Sequence, residues 1–138
     1  MKIPTDLAIL DKIYKKYYHE FASFNKEEPN RNTKVYVPID VNKIGEELGV
    51  DGDIIFGRLY YHLNNKFRYL KEDGVRVEFF ANHIGPFGNE DTHCVQFPYL
   101  VSVLADLKDE DRKFRIATLA ATVSIFISIV SLIISIVV

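Results

Sequence analysis

Four polar side chains that could hold a nucleotide recur along one short stretch of the chain. Arg58, Tyr61, His62 and Asn65 stand at positions i, i+3, i+4 and i+7, which places them on one face of a helix. An arginine can bind a phosphate or a guanine, an asparagine can pair with a base edge, and a tyrosine can stack on a base. The spacing therefore predicts a ligand-binding face made of these four residues.

The charge around this face limits the kinds of nucleic acid that it could bind. The five basic residues between positions 51 and 78 are matched by five acidic ones. Phosphate neutralisation supplies most of the affinity for duplex DNA, so this balance argues against tight non-specific duplex binding. Three alternatives remain: a small nucleotide or short single-stranded nucleic acid, a specific duplex DNA site, and a domain that contacts only proteins.

The remaining reactive side chains do not form a pattern typical of an enzyme. His62, His83, His93 and Cys94 lack the spacing of a zinc site, and no second cysteine completes a paired motif. The sequence contains neither a glycine-rich phosphate loop nor a recognisable nucleophile motif. We therefore expect no catalytic residue, no cofactor and no metal.

The predicted elements that position the binding face alternate helices with short strands. They are a helix over 5–24 capped by Thr5, a strand over 34–39, a short helix capped by Asp40, a tight turn over 49–52, and a helix from Asp53 to about Asn65. Two strands over 75–80 and 92–97 follow, and the loop between them contains His83 and Phe87. A final helix is predicted to begin at Pro98.

This order of elements over residues 5–98 resembles a winged helix–turn–helix domain. The resemblance implies an α+β fold in which the second helix of the pair is the recognition helix. That helix carries the predicted binding face. The loop with His83 and Phe87 would then supply a second contact.

The end of the chain has a different composition. The stretch from Ile116 to Val138 contains no charged residue, Gly, Pro, Asn or Gln, and all 17 basic and 19 acidic residues precede it. As a helix it would be roughly 34 Å long, which is enough to cross a hydrocarbon core of about 30 Å. The sequence therefore predicts one transmembrane helix over 116–138, joined by a juxtamembrane helix over 99–115 to the domain over 1–98.

The flanking charges predict the orientation of this helix. Lys108, Arg112, Lys113 and Arg115 precede it, and the positive-inside rule places the side that carries them in the cytoplasm. Charged residues within positions 1–20 argue against a signal peptide, and a single cysteine fits a reducing compartment. We therefore expect a single-pass protein of the inner (cytoplasmic) membrane with a cytoplasmic N-terminal domain.

A heptad seam connects the domain to the predicted span. Its positions alternate spacings of three and four residues: Leu100, Val103, Leu107, Glu110, Phe114, Ala117, Ala121, Ser124, Ser128, Ser131 and Ser135. The pattern predicts one continuous helix of about 40 residues that self-associates. The small residues of the span would then either pack neighbouring helices closely or line a narrow, uncharged pore.

The predicted layout is similar to that of small transmembrane channel effectors of bacterial anti-phage systems, including Hailong-type channels. The resemblance implies a homo-oligomeric pore gated by a nucleotide or short nucleic acid that a partner enzyme makes. Two other functions remain open. One is a membrane-anchored winged-helix DNA-binding transcription regulator, and the other is an adaptor that docks another protein at the membrane.

Overall fold

The computed structural model describes residues 2–82 and 92–138, which form an α+β fold with a long C-terminal helix. The chain divides into two compact units, Met1–Leu104 and Ala105–Val138. The elements are α1 (Asp6–Ala22), β1 (Tyr36–Ile39), α2 (Val41–Leu48), α3 (Gly52–Gly57), a π-helix named π1 (Arg58–Asn64), α4 (Asn65–Phe67), β2 (Tyr69–Leu70), β3 (Arg76–Val77), β4 (Phe80–Asn82), β5 (His93–Gln96) and α5 (Phe97–Val137). The predicted α+β class is confirmed. The predicted contact loop with His83 and Phe87 lies outside the described residues.

Short polar side chains cap the first two helices. The Thr5 hydroxyl accepts a hydrogen bond from the Ala8 N–H at 3.1 Å, and the Asp40 carboxylate accepts one from the Asn42 N–H at 3.0 Å. Gly49 ends α2 in the left-handed conformation, with φ of 73°. These caps confirm the predicted helix starts and the turn after α2.

The start of α3 differs from the prediction. Asp51, and not Asp53, is the N-cap, and its carboxylate accepts a hydrogen bond from the Asp53 N–H at 2.8 Å. The helix therefore begins at Gly52, which is buried. A Cβ atom at Gly52 would lie 2.9 Å from the Asn42 Cα, so glycine is required where α2 and α3 approach.

The main sheet joins strands of the N-terminal unit that lie far apart in the sequence. Its strand order is β1-β5-β4, all antiparallel, with Val95 of β5 opposite Val37 of β1 and Phe80 of β4. The buried apolar residues around it come from α1, α2, α3, π1 and the start of α5: Ile9, Leu10, Ile13, Ile44, Ile55, Leu59, Leu63, Phe97, Leu100, Val103 and Leu104. The sheet and these helices share one core.

The single strand predicted over 75–80 is divided in the structure. β3 pairs with β2 in a separate two-stranded hairpin, whereas β4 begins at Phe80 in the main sheet. The division has a local cause. The Asn64 side chain accepts hydrogen bonds from the N–H groups of both Phe79 and Phe80, so those groups are not available to a continuous ladder.

The predicted continuity of the last helix is confirmed. α5 runs for 41 residues from Phe97 to Val137, beginning one residue before the predicted Pro98. Leu100 and Val103, the first two positions of the heptad seam, are buried in the core of the N-terminal unit. They are therefore not available for self-association, and the exposed part of the seam starts beyond them.

Candidate functional site

π1 changes which side chains of this helical stretch face the interior. A π-helix has i→i+5 hydrogen bonds, so residues within it do not follow the α-helical period, and such turns are frequent at functional sites. Tyr60, which the α-helical period places inward, is 40% exposed, whereas Asn64 is only 6% exposed. The altered period thus turns a polar side chain into the core.

Asn64 is the centre of a buried hydrogen-bond network. Its carbonyl oxygen accepts from the N–H groups of Phe79 at 2.8 Å and Phe80 at 3.0 Å. Its amide group donates to Oε2 of Glu78 at 2.8 Å. One side chain therefore holds the segment between β3 and β4 against π1.

This network forms one side of an open groove of about 550 Å³. The groove is lined by residues of π1, α4, β3, β4 and their connections: Tyr60, Tyr61, Asn64, Asn65, Arg68, Arg76, Glu78, Phe80 and Ala81. Its volume lies within the range that is usual for small-molecule sites, about 300–1,000 Å³. We call it the π1 groove.

Aromatic rings form one wall of the π1 groove. The Tyr60 and Tyr61 rings lie 5.0 Å apart at 90° to one another, and the Phe56 ring stacks on Tyr60 at 5.3 Å. Tyr61 is 71% exposed. Its ring is therefore accessible to a planar ligand and supported by its neighbours.

The charged side chains of the groove differ in the hydrogen bonds and ion pairs that fix their positions. Glu78 is fixed by Asn64, and its other oxygen, Oε1, lies 3.8 Å from Nε of Arg76. Arg68 is exposed and has no ion pair within residues 2–82 and 92–138. Two guanidinium groups and a positioned carboxylate therefore line the same groove.

The four predicted binding residues separate into two pairs. Tyr61 and Asn65 line the π1 groove. Arg58 instead forms an ion pair with Asp6 and donates to the Pro4 carbonyl at 2.9 Å, while His62 Nε2 lies 3.4 Å from the Asp6 carboxylate. Arg58 and His62 therefore connect π1 to the start of α1.

The groove contains residues that sequence reasoning did not assign to a site. Asn64, Arg68, Arg76 and Glu78 all line it, but only Asn64 lies in the same helical stretch as the predicted face. The others come together through the β2–β3 hairpin, whose pairing no helical spacing could indicate. Asn64 lies between Leu63 and Asn65 in the sequence, and this context does not predict that its polar side chain is buried.

The groove is connected to the start of α5 through Tyr99. The Tyr99 hydroxyl donates to the Phe67 carbonyl, at the end of α4, at 2.9 Å. The Tyr99 ring also meets the rings of Phe67 at 6.0 Å and Phe79 at 5.6 Å in edge contacts. Burial raises the pKa of the Tyr99 hydroxyl.

The part of α5 that precedes the apolar stretch carries ion pairs along one helix. Asp109 lies 2.7 Å from Arg112 and 3.0 Å from Lys113, and Asp111 lies 3.0 Å from Arg115. Hydrogen bonds from Lys113 and Arg112 lower the pKa of Asp109. The acidic and basic residues that precede the apolar stretch therefore partly neutralise one another.

The apolar stretch of α5 presents small residues on one face. This face carries the predicted pore-lining or packing residues, all exposed in the single chain: Ala117, Ala121, Ser124, Ser128, Ser131 and Ser135. The Ser128 hydroxyl donates to the Ser124 carbonyl at 2.9 Å, and the Thr122 hydroxyl donates to the Thr118 carbonyl at the same distance. Such bonds lower the cost of placing a hydroxyl in an apolar medium.

Comparison with known proteins adds no family to this description. No protein-family model matches the chain, and no match is found among the curated proteins or the solved structures. Within residues 2–82 and 92–138, no cluster of three or more side chains is arranged to hold a metal ion. The π1 groove and α5 are therefore the features from which a function can be inferred.

Proposed function

We propose that this protein is a single-pass membrane effector. Its N-terminal domain would bind a nucleotide or a short single-stranded nucleic acid, and its C-terminal helices would assemble into a pore. The observation that carries the proposal is α5, which is a core helix at its start and is long and apolar enough to cross a membrane. Its apolar side chains beyond Arg115 are exposed in the single chain, so lipid or other copies must cover them.

The π1 groove supports the ligand-binding half of the proposal. Its two arginines suit phosphate groups, the exposed Tyr61 ring suits a base, and the Asn65 amide suits a base edge. A few such groups can hold a small ligand without the basic surplus that duplex binding needs. A partner enzyme would make this ligand, and we propose a role in anti-phage defence by analogy with the layout of small transmembrane channel effectors.

The same features bear on the alternative function, a membrane-anchored winged-helix transcription regulator. The order of helices and strands and the antiparallel main sheet support a winged-helix-like fold. However, Arg58 and His62 are engaged with Asp6, so half of the predicted recognition face is not free to contact a duplex. Crosslinking across the genome that recovers a specific DNA sequence would favour the regulator.

Tyr99 offers a route by which ligand binding could reach the span. A ligand that draws the groove walls together would pull on Phe67 and Phe79, both of which contact Tyr99 in the first turn of α5. α5 has no break between Phe97 and Val137 that would absorb the movement. The helix would therefore carry it into the oligomer.

The pore is tested by ion leakage from liposomes that contain the full-length protein. We expect wild type to leak in one ligand state, and Ser128→Leu with Ser131→Leu to reduce leakage to that of empty liposomes. Leucine at these positions would fill and dewet a narrow polar path. Nucleoside triphosphates and tri- to hexanucleotides serve as ligands.

The matched control is Ile129→Leu with Ile133→Leu, which changes side chains outside the serine face of the same helix. This variant should leak like wild type. A pore is contradicted if no ligand condition produces leakage from wild type. Equal leakage from both double variants would show that the serine face does not line the ion path.

Tyr99→Phe tests the connection between groove and span. It removes the bond to the Phe67 carbonyl and keeps the ring, so nucleotide affinity should change little. Since such a bond contributes about 0.5–1.5 kcal/mol, half-maximal leakage should shift about 2-fold to 13-fold in ligand concentration. Isothermal titration and the leakage assay measure the two quantities separately.

Tyr69→Phe is the control for this substitution. The Tyr69 ring lies 6.0 Å from the Tyr99 ring, and its hydroxyl makes no hydrogen bond among the described residues. The control should leave the leakage response unchanged. If Tyr99→Phe behaves in the same way as the control, the hydrogen bond to Phe67 does not transmit the signal.

A further inference from the structure

We infer that the π1 groove selects ribonucleotides over deoxyribonucleotides, and that Glu78 is the residue that selects the sugar. The inference rests on the proposed nucleotide-binding function and narrows the class of ligand. The inference starts from Glu78, an acidic residue in a groove whose other charged residues are arginines. A carboxylate in this groove opposes the binding of phosphate groups, and a hydrogen bond that the ligand donates to it would offset part of that cost.

The Glu78 carboxylate is held in place before any ligand binds. Its Oε2 accepts a hydrogen bond from the amide of Asn64 at 2.8 Å. Asn64 is itself only 6% exposed and bonded to the N–H groups of Phe79 and Phe80. The ordering of the carboxylate is therefore part of folding, and ligand binding does not have to supply it.

Oε1 of Glu78 remains open to a donor from the ligand. Its neighbour Arg76 Nε is 3.8 Å away, which is beyond hydrogen-bonding distance, and the Glu78 side chain is 24% exposed in the groove. An ionised carboxylate can only accept, so the ligand has to supply the hydrogen. A fully ionised phosphate cannot do this, whereas a hydroxyl or an amino group can.

Oε1, which accepts no hydrogen bond from the protein, suits a single donor such as a sugar hydroxyl better than the paired N–H donors of guanine. Those paired donors would also need Oε2, which already accepts a hydrogen bond from Asn64. The ribose 2′-hydroxyl needs one acceptor, and an acidic side chain bonded to this hydroxyl is a known basis for recognising ribose in dinucleotide-binding domains. Arg68 and Tyr61 remain in the same groove for phosphate and base.

The test is isothermal titration of the full-length protein in detergent micelles. The probes are the four ribonucleoside triphosphates and their 2′-deoxy counterparts, together with tri-ribonucleotides and tri-deoxyribonucleotides of one sequence. We expect wild type to bind at least one ribose probe about tenfold or more tighter than its deoxy counterpart, as a hydrogen bond to a charged group can supply. Glu78→Gln should bring this ratio to within about threefold of one, because a neutral amide forms the weaker bond.

The variant is chosen to preserve the fold. A glutamine oxygen can still accept from Asn64, and its amide nitrogen then takes the place of Oε1. Glu72→Gln makes the same change in charge in the β2–β3 turn, outside the groove, and should keep the wild-type ratio. The ratio measured for wild type decides the sugar preference even if Glu78→Gln fails to fold.

Each result separates this inference from the proposed function. Equal affinity of wild type for both sugars overturns ribose selection and leaves nucleotide binding intact. An unchanged ratio in Glu78→Gln, with the variant folded, overturns the assignment to Glu78. Failure of every probe to bind overturns ribose selection together with the nucleotide-binding function.

Discussion

Asn64→Ala is expected to lower the free energy of unfolding by about 4 kcal/mol. The substitution removes the acceptor for the Phe79 and Phe80 N–H groups and the donor to Glu78. Both phenylalanines are buried, so their N–H groups cannot turn to water. Urea unfolding of the full-length protein in micelles, followed by near-ultraviolet circular dichroism of the tyrosines, measures this change.

The adjacent asparagine provides the control. Asn65 is exposed and makes no side-chain hydrogen bond among the described residues, so Asn65→Ala should change stability by no more than about 0.5 kcal/mol. If this stretch were an α-helix and not a π-helix, Asn64 would not be the buried member of the Asn64–Asn65 pair. Similar small effects of both substitutions would therefore contradict the π-helical geometry and the groove built on it.

Gly52→Ala is expected to destabilise the protein by about 3 kcal/mol. The new methyl group would lie 2.9 Å from the Asn42 Cα, and α2 and α3 would have to separate to admit it. Gly57 lies five residues later in the same helical stretch, where the nearest atom to an added Cβ is Tyr61 Cδ2 at 3.9 Å. Gly57→Ala should therefore raise stability by about 0.5–1 kcal/mol, since alanine favours the helix.

The two substitutions are expected to change stability in opposite directions. A difference in helix propensity cannot explain this, because both replace a helical glycine by alanine. Both can be measured by the same urea titration, and both replace a glycine by the same residue. A neutral or stabilising effect of Gly52→Ala would contradict the close approach of α2 to α3 at this residue. The start of π1, which follows α3 directly, would then need a different explanation.

Sequence reasoning succeeds here where a single residue type determines local geometry. Thr5 and Asp40 cap helices because a short oxygen-bearing side chain can accept from the first free N–H groups, and Gly49 adopts a conformation that costs other residues more. The continuity and length of α5 are predictable for a similar reason. An uninterrupted apolar stretch without Gly or Pro contains nothing to end a helix.

Sequence reasoning is less successful where distant segments meet. Asp6 lies 52 residues before Arg58, and its ion pair removes Arg58 from the predicted binding face. Glu78 reaches Asn64 only because the β2–β3 hairpin reverses the chain, and the hairpin itself is too short to leave a clear alternating pattern. The predicted site is therefore half retained in the groove, and its other half serves the packing of α1.

π1 determines which residues of this chain correspond to those of a related chain. A π turn accommodates one more residue than an α turn, so it is the structural form of a single-residue insertion in a helix. An alignment that treats 52–67 as uniform α-helix would place Asn65 where Asn64 belongs, and a relative without the extra residue would need a gap inside the helix. The gap should lie within Arg58–Asn64, because only then do equivalent groove residues align with one another.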